Sequence, residues 1–286
     1  MNRWVLGARP RTLPAAVVPV LVGTAAAAGG GITWWRAGAA LVVALALQVA
    51  TNYANDYADG VRGTDDVRVG PVRLVASRLA TPSQVRLAAL VAGAVAALAG
   101  VTLAVAVGPE LLVVGAASLA AGYLYTGGPL PYGYLGLGEV FVFTFFGVVA
   151  TAGSAYVQLE HGSRLALGAS VPVGLLATSL LVVNNLRDIR TDGAAGKRTL
   201  AVRIGEPATR ALYGGFVVGA FVSLPLLALA RPGALLALLA VPLALPPLRT
   251  VCGTANGRAL VPALGDTARL SLGFGVLLAA GLALSA

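Results

Sequence analysis

Asn52, Asp56 and Asp59 close one long apolar stretch of this chain, and Asn184, Asn185, Asp188 and Asp192 close another. On a helix, residues three and four apart project from one face, so Asn52, Asp56 and Asp59 share a face, and Asn184, Asp188 and Asp192 repeat the four-residue step. An ionised carboxylate at the centre of a bilayer costs about 2.5–3.5 kcal/mol even on lenient insertion scales. Two such clusters in a chain that is only 11% charged therefore point to chemistry. Each is followed by basic residues: Arg68 and Arg73 after the first, with Asp65 ahead of them, and Lys197 and Arg198 after the second. Oxygen ligands at wet helix ends suit Mg2+, which keeps several of its waters and is shared with the phosphate oxygens of a substrate. Asp56, Asp59, Asp188 and Asp192 are the expected metal ligands, and the basic loops the expected partners of a diphosphate. The competing reading is structural: solvated helix-end carboxylates paired with loop arginines.

The elements that must position these residues follow from composition. A chain of 286 residues, 58% hydrophobic and with mean hydropathy +0.85, has too little polar surface to cover its apolar residues in water. The composition predicts an all-α, polytopic membrane bundle, a single domain over 1–286 with the lipid bilayer as its surroundings. A helix of about 20 apolar residues crosses a bilayer. Segments near 12–29, 37–58, 87–107, 109–125, 138–157, 165–186, 211–230, 233–248 and 270–286 are read as about nine transmembrane helices. With a cytoplasmic N-terminus, seventeen of the 20 Lys and Arg residues fall on one side, leaving Arg36, Arg164 and Arg231 opposite. The positive-inside rule then places both acidic clusters, and a polar active site, at the cytoplasmic face of the cell membrane, with the C-terminus outside. The formal charge of +9 is accounted for by topology and predicts no nucleic-acid partner. Cys252 is the only cysteine, which excludes an internal disulfide and a cysteine-based zinc site. Gly193-Ala-Ala-Gly-Lys-Arg198 looks like a phosphate-binding loop, but Thr191 and Arg198 stand where such a loop needs Gly and Ser or Thr. His161 reads as a solvated loop residue.

The runs Asn52-Tyr-Ala-Asn-Asp-Tyr-Ala-Asp59, Arg68-Val-Gly-Pro-Val-Arg73, Asn184-Asn-Leu-Arg-Asp188 and Gly196-Lys-Arg-Thr-Leu-Ala-Val-Arg203 resemble the two aspartate-rich motifs of the UbiA-type intramembrane prenyltransferases. Arg9-Pro-Arg-Thr-Leu-Pro14 and Tyr125-Thr-Gly-Gly-Pro-Leu-Pro-Tyr-Gly-Tyr134 are similar to the branch that prenylates 1,4-dihydroxy-2-naphthoate in menaquinone synthesis. The wider family tends to carry a third aspartate four residues after the second. Here Gly63 holds that place and Asp65 follows, as in the naphthoate branch, while Arg78 stands where a small residue is expected. The resemblance implies a Mg2+-dependent transfer of a polyprenyl group from polyprenyl diphosphate to an aromatic acid acceptor, with loss of diphosphate and CO2. Two Mg2+ ions would bridge the diphosphate between Asp56 and Asp59 on one side and Asp188 and Asp192 on the other. Arg68, Arg73, Lys197 and Arg198 would add positive charge, and Asn52, Asn55, Asp65, Asn184 and Asn185 would complete the substrate site. Ring faces of Tyr123, Tyr125 or Tyr57 would stabilise the allyl cation. Arg9 and Arg11 either set topology or meet the acceptor carboxylate, and Glu139 is either a base or a hydrogen-bond anchor. The alternatives are a prenyltransferase for another aromatic or a glycerol phosphate, and a cation-coupled transporter, whose carboxylates belong near the bilayer midplane on interrupted helices.

Overall fold

The computed structural model describes residues 2–64, 70 and 72–286, and among these all regular structure is helical. The chain opens with α1 (Arg3–Ala8), capped by the Asn2 side chain, which accepts the Trp4 N–H. It turns through Pro10–Thr12 into α2 (Pro14–Ala26), at a bend of 52°. Pro14 suits that start, because its fixed φ and missing N–H cost nothing in a first helical turn. α3 (Trp34–Arg62) stops at Gly63, whose φ of 73° is the left-handed value that terminates helices and that a Cβ resists. Thr81 and Gln84 form a capping box at the start of α4 (Pro82–Ala106), and α5 (Glu110–Leu124) follows. α6 (Gly138–Leu159) passes through a π-turn at Phe143–Val149. α7 (Arg164–Ala194) is capped by Ser163, and α8 (Leu200–Ala228) by Thr199, with a break at Gly205 just ahead of Pro207. α9 (Pro232–Val251) winds as a 3-10 helix to Ala240, and α10 (Gly257–Leu284) ends the bundle.

Seven of these helices, α3, α4 and α6 to α10, are long and apolar enough to cross a membrane, and eight spans result if the bent α1–α2 pair counts as one. The expectation of about nine counts α5 as well, an apolar helix of 15 residues that is shorter than these seven. Two boundaries also move. α10 starts at Gly257 rather than near 270, so Arg269 lies on the helix, 3.0 Å from Asp266. α8 starts at Leu200, which puts Arg203 and Arg210 on it, and Arg210 donates to the carbonyls of Val251 and Ala255 to hold the loop ahead of α10.

α7 is the central post: 72% of its apolar stretch is buried, against 17% for α4 at the periphery. Val173, Leu176, Leu180 and Val183 of α7 join Val18 and Val22 of α2, Tyr213 and Val217 of α8, and Phe274 and Leu278 of α10 in one core. Apolar residues also cover the outside, as Val105 and Leu229 do at 85% and 84% exposure. Helices apolar on both faces are stable where the outer face meets lipid. The packing brings the ends of α3 and α7, with their polar residues, to one cavity.

Candidate active site

A cavity of about 930 Å³ is lined by Asn52, Asn55 and Asp59 from α3 and by Asn184, Asn185 and Asp188 from α7. Asp59 is 1% exposed and caught on both oxygens. Tyr134 Oη donates to Oδ1 at 2.8 Å, while Oδ2 lies 3.6 Å from Arg73 Nη2 and 3.6 Å from Lys197 Nζ. The Lys197 ammonium also stands 5.1 Å from the centre of the Tyr134 ring. Burial and the Asp59 charge push the Tyr134 hydroxyl up to about 12, so it remains a proton donor at neutral pH. Asn52 donates to the Ala8 carbonyl at 2.9 Å and to Thr12 Oγ1 at 3.0 Å, which fixes the turn carrying Arg9 and Arg11 on the cavity wall. Asn55 accepts from Thr126 Oγ1 at 2.7 Å.

On α7, Arg187 grips Asp188 through two parallel contacts, Nε to Oδ1 at 2.8 Å and Nη2 to Oδ2 at 2.6 Å. Such a fork fixes the orientation of a carboxylate. Asn185 donates to Glu139 Oε1 at 2.9 Å. Beyond these groups the wall turns apolar, with Leu47, Leu180, Phe141, Phe145 and Phe146, so the cavity joins a charged end to a lipid-like one.

Several expected residues stand elsewhere. Asp56 is fully buried and outside the lining, its two oxygens accepting the N–H groups of Leu74 at 2.8 Å and Val75 at 3.0 Å. It shares a helix face with Asn52 and Asp59, but the segment after Arg73 folds over it and takes both oxygens. Glu139 sits behind Asn185 as its hydrogen-bond anchor, outside the lining. Tyr123 is 59% exposed on the outer surface, and Tyr57 also lies outside the lining; of the three tyrosines named, Tyr125 alone lines the cavity. Arg198 is exposed and outside the lining, and Asp192 is half-buried one turn beyond Asp188. Asp65 and Arg68 lie outside the described residues. Conversely, Tyr132, Tyr134, Arg187 and the three phenylalanines escaped sequence reasoning. Tyr132 and Tyr134 carried a readable signal, a Tyr-rich, Pro- and Gly-rich connection between two apolar segments; Arg187 beside Asp188 carried none.

The donor set fits a divalent ion shared with a ligand. Asp59 Oδ2 is buried and accepts no hydrogen bond from the described residues, its two neighbouring cations standing 3.6 Å off, an arrangement that a closer cation would complete. Among the described residues no three acidic or histidine side chains converge, so a closed protein cage for a metal is absent from them. Asp59 and Asp188, with Asp192 next along α7, would hold the ion, completed by phosphate oxygens and water.

A bundle of apolar helices with paired Asp and Asn clusters in one cavity defines an intramembrane transferase class, and the chain belongs to the UbiA prenyltransferase family, whose model matches residues 16–258. Within that family it is similar to the 1,4-dihydroxy-2-naphthoate octaprenyltransferase of Mycobacterium tuberculosis, 51% identical over 282 residues, 98% of this chain and 97% of the relative. The protein of that name from Escherichia coli is 36% identical over 99% of this chain and 95% of its own length. The fold matches a UbiA homologue from Archaeoglobus fulgidus, solved bound to GPP and Mg2+, with TM-score 0.71 at 12% identity over 97% of this chain and 99% of that one.

Proposed function

We propose that the chain transfers a polyprenyl group from polyprenyl diphosphate to 1,4-dihydroxy-2-naphthoate, releasing diphosphate and CO2, in menaquinone synthesis. The observation that carries this reading is Asp59 Oδ2 held between Arg73 and Lys197 in the same cavity as Asp188. Bound Mg2+, as one or two ions, would neutralise the diphosphate and make it a leaving group. Lys197 lies beyond hydrogen-bond length from Asp59, so its ammonium donors stay available to phosphate oxygens. Arg73 adds a planar donor on the same side. As the C1–O bond breaks, positive charge would grow on the allyl carbon, and Tyr125 and Tyr132, both in the lining, would offer it electron-rich rings. The acceptor carbon bearing the carboxylate then bonds to C1. Loss of CO2 returns the electron pair to the ring, giving the prenylated naphthalenediol, the reduced form of demethylmenaquinone. That step needs no protein base, in keeping with Glu139 behind Asn185. Arg9 and Arg11, on the turn whose ends Asn52 ties at Ala8 and Thr12, would take the acceptor carboxylate until it leaves.

The protein would lie in the cell membrane with its N-terminus and site at the cytoplasmic face and its C-terminus outside, from the distribution of basic residues. α3 and α7 run unbroken past their carboxylates, which sit at helix ends, against the interrupted midplane helices of a transporter. Expression in bacteria stripped of their own dihydroxynaphthoate prenyltransferase tests the reading. Restored demethylmenaquinone in lipid extracts, identified by mass, is expected; accumulated acceptor with no prenylated product would count against it.

A further inference from the structure

Phe141, Val142, Phe145, Phe146 and Ala150 of α6 all line the cavity. In a regular α-helix that set would spread over about half the circumference. At 3.6 residues per turn, residues five apart differ by about 140°, so Phe146 would point away from Phe141, and Ala150 away from Phe145. The π-turn at Phe143–Val149 narrows that arc, since its bonds close over five residues: the Ala150 N–H reaches the Phe145 carbonyl. Residues five apart then come nearer to one line, and all of these line the cavity. The turn is pinned from behind. A Cβ on Gly147 would lie 2.5 Å from the Gly174 Cα, and one on Gly174 would meet the Phe143 ring at 2.8 Å, so α6 and α7 touch backbone to backbone there. The aromatic line continues to the polar end. Phe145 lies parallel to Phe141 with centres 6.0 Å apart, Phe141 stacks on Tyr132 at 3.8 Å, and Tyr132 meets Tyr125 edge-on at 5.4 Å.

We propose that the π-turn of α6 is a donor-specificity device: it aligns Phe141, Phe145 and Phe146 as the binding surface for the second and later isoprene units, and so directs the tail away from the diphosphate end. The inference rests on the cavity being the prenyl-donor site. It adds which residues read the tail and the backbone feature that presents them. The chemistry fits, because isoprene units offer methyl groups and double bonds, which pack on aromatic faces without a polar partner.

Binding is measured by calorimetry on the purified full chain in detergent with Mg2+ and no acceptor, using allylic diphosphates of one, two and four isoprene units and inorganic diphosphate. Burial of a large apolar side chain against ligand corresponds to roughly 10- to 100-fold in affinity. Phe145→Ala and Gly147→Ala are expected to weaken the four-unit donor by that factor, while the one-unit donor and inorganic diphosphate bind as in the unchanged protein. Phe146→Leu, which keeps apolar bulk and the fold, should show the same dependence on donor length at smaller amplitude. Equal losses for all donors in Phe146→Leu, or none for the four-unit donor in Phe145→Ala, would overturn the proposal. Failure of the unchanged protein to bind any allylic diphosphate would instead remove the donor site itself, and this inference with it.

Discussion

Asp59 and Asp56 are three residues apart, and the fold separates their tasks. Asp59 meets cations and a phenol inside the cavity, whereas Asp56 caps the segment that delivers Arg73. Asp59→Asn should therefore lower kcat by roughly 10²–10³-fold, as loss of a preorganised electrostatic group does. It should also raise the Mg2+ concentration for half-maximal rate by roughly tenfold or more. Asp56→Asn replaces one acceptor by a donor facing an N–H, a cost of about 1–3 kcal/mol. Its expected signature is faster thermal inactivation with the Mg2+ requirement unchanged; a Mg2+ requirement shifted as in Asp59→Asn would return Asp56 to the metal. Lys197→Ala is expected to cut kcat/KM for the donor roughly 10- to 100-fold, since a charge-assisted contact contributes about 1.5–3 kcal/mol. Arg11→Ala should act instead on the acceptor. Kinetics with each substrate varied in turn separate them, and equal losses for both substrates in both variants would undo the division of the site. The spacing of Asn184 and Asp188, and of Asn52 and Asp59, was legible because helical period is local. The diversion of Asp56 was not, because residues 18 and 19 positions away decide it.

At the scale of elements, the apolar runs announced where the helices lie, yet their ends and irregularities came from contacts. The helix of α10 continues back past Arg269 to Gly257, and α5, mostly apolar in sequence, runs for only 15 residues. The π-turn of α6 is weakly marked locally: Phe143–Val149 contains Gly147 but no proline, and the glycine it packs against, Gly174, lies on the next helix. Orientation is testable element by element. With Cys252 replaced by Ser, a cysteine at His161, in the exposed turn between α6 and α7, should react with an impermeant thiol reagent added to intact cells. One at Ala195, exposed just past α7, should react only after the cells are opened. The reverse pattern would place the cavity's charged end on the outer side.

For the whole molecule, membrane residence and the two-cluster plan were readable from composition and motif, while the shape of the cavity, charged at the ends of α3 and α7 and aromatic along α6, emerges only when distant helices assemble. The most direct test of that plan is the reaction itself. Purified protein in detergent is given Mg2+, a polyprenyl diphosphate and either 1,4-dihydroxy-2-naphthoate or other aromatic acids, with products identified by mass and released diphosphate and CO2 quantified. The account predicts a prenylated naphthalenediol formed one for one with diphosphate and CO2, abolished by EDTA and restored by Mg2+. Undiminished turnover in EDTA, or a product that retains the carboxylate, would contradict it.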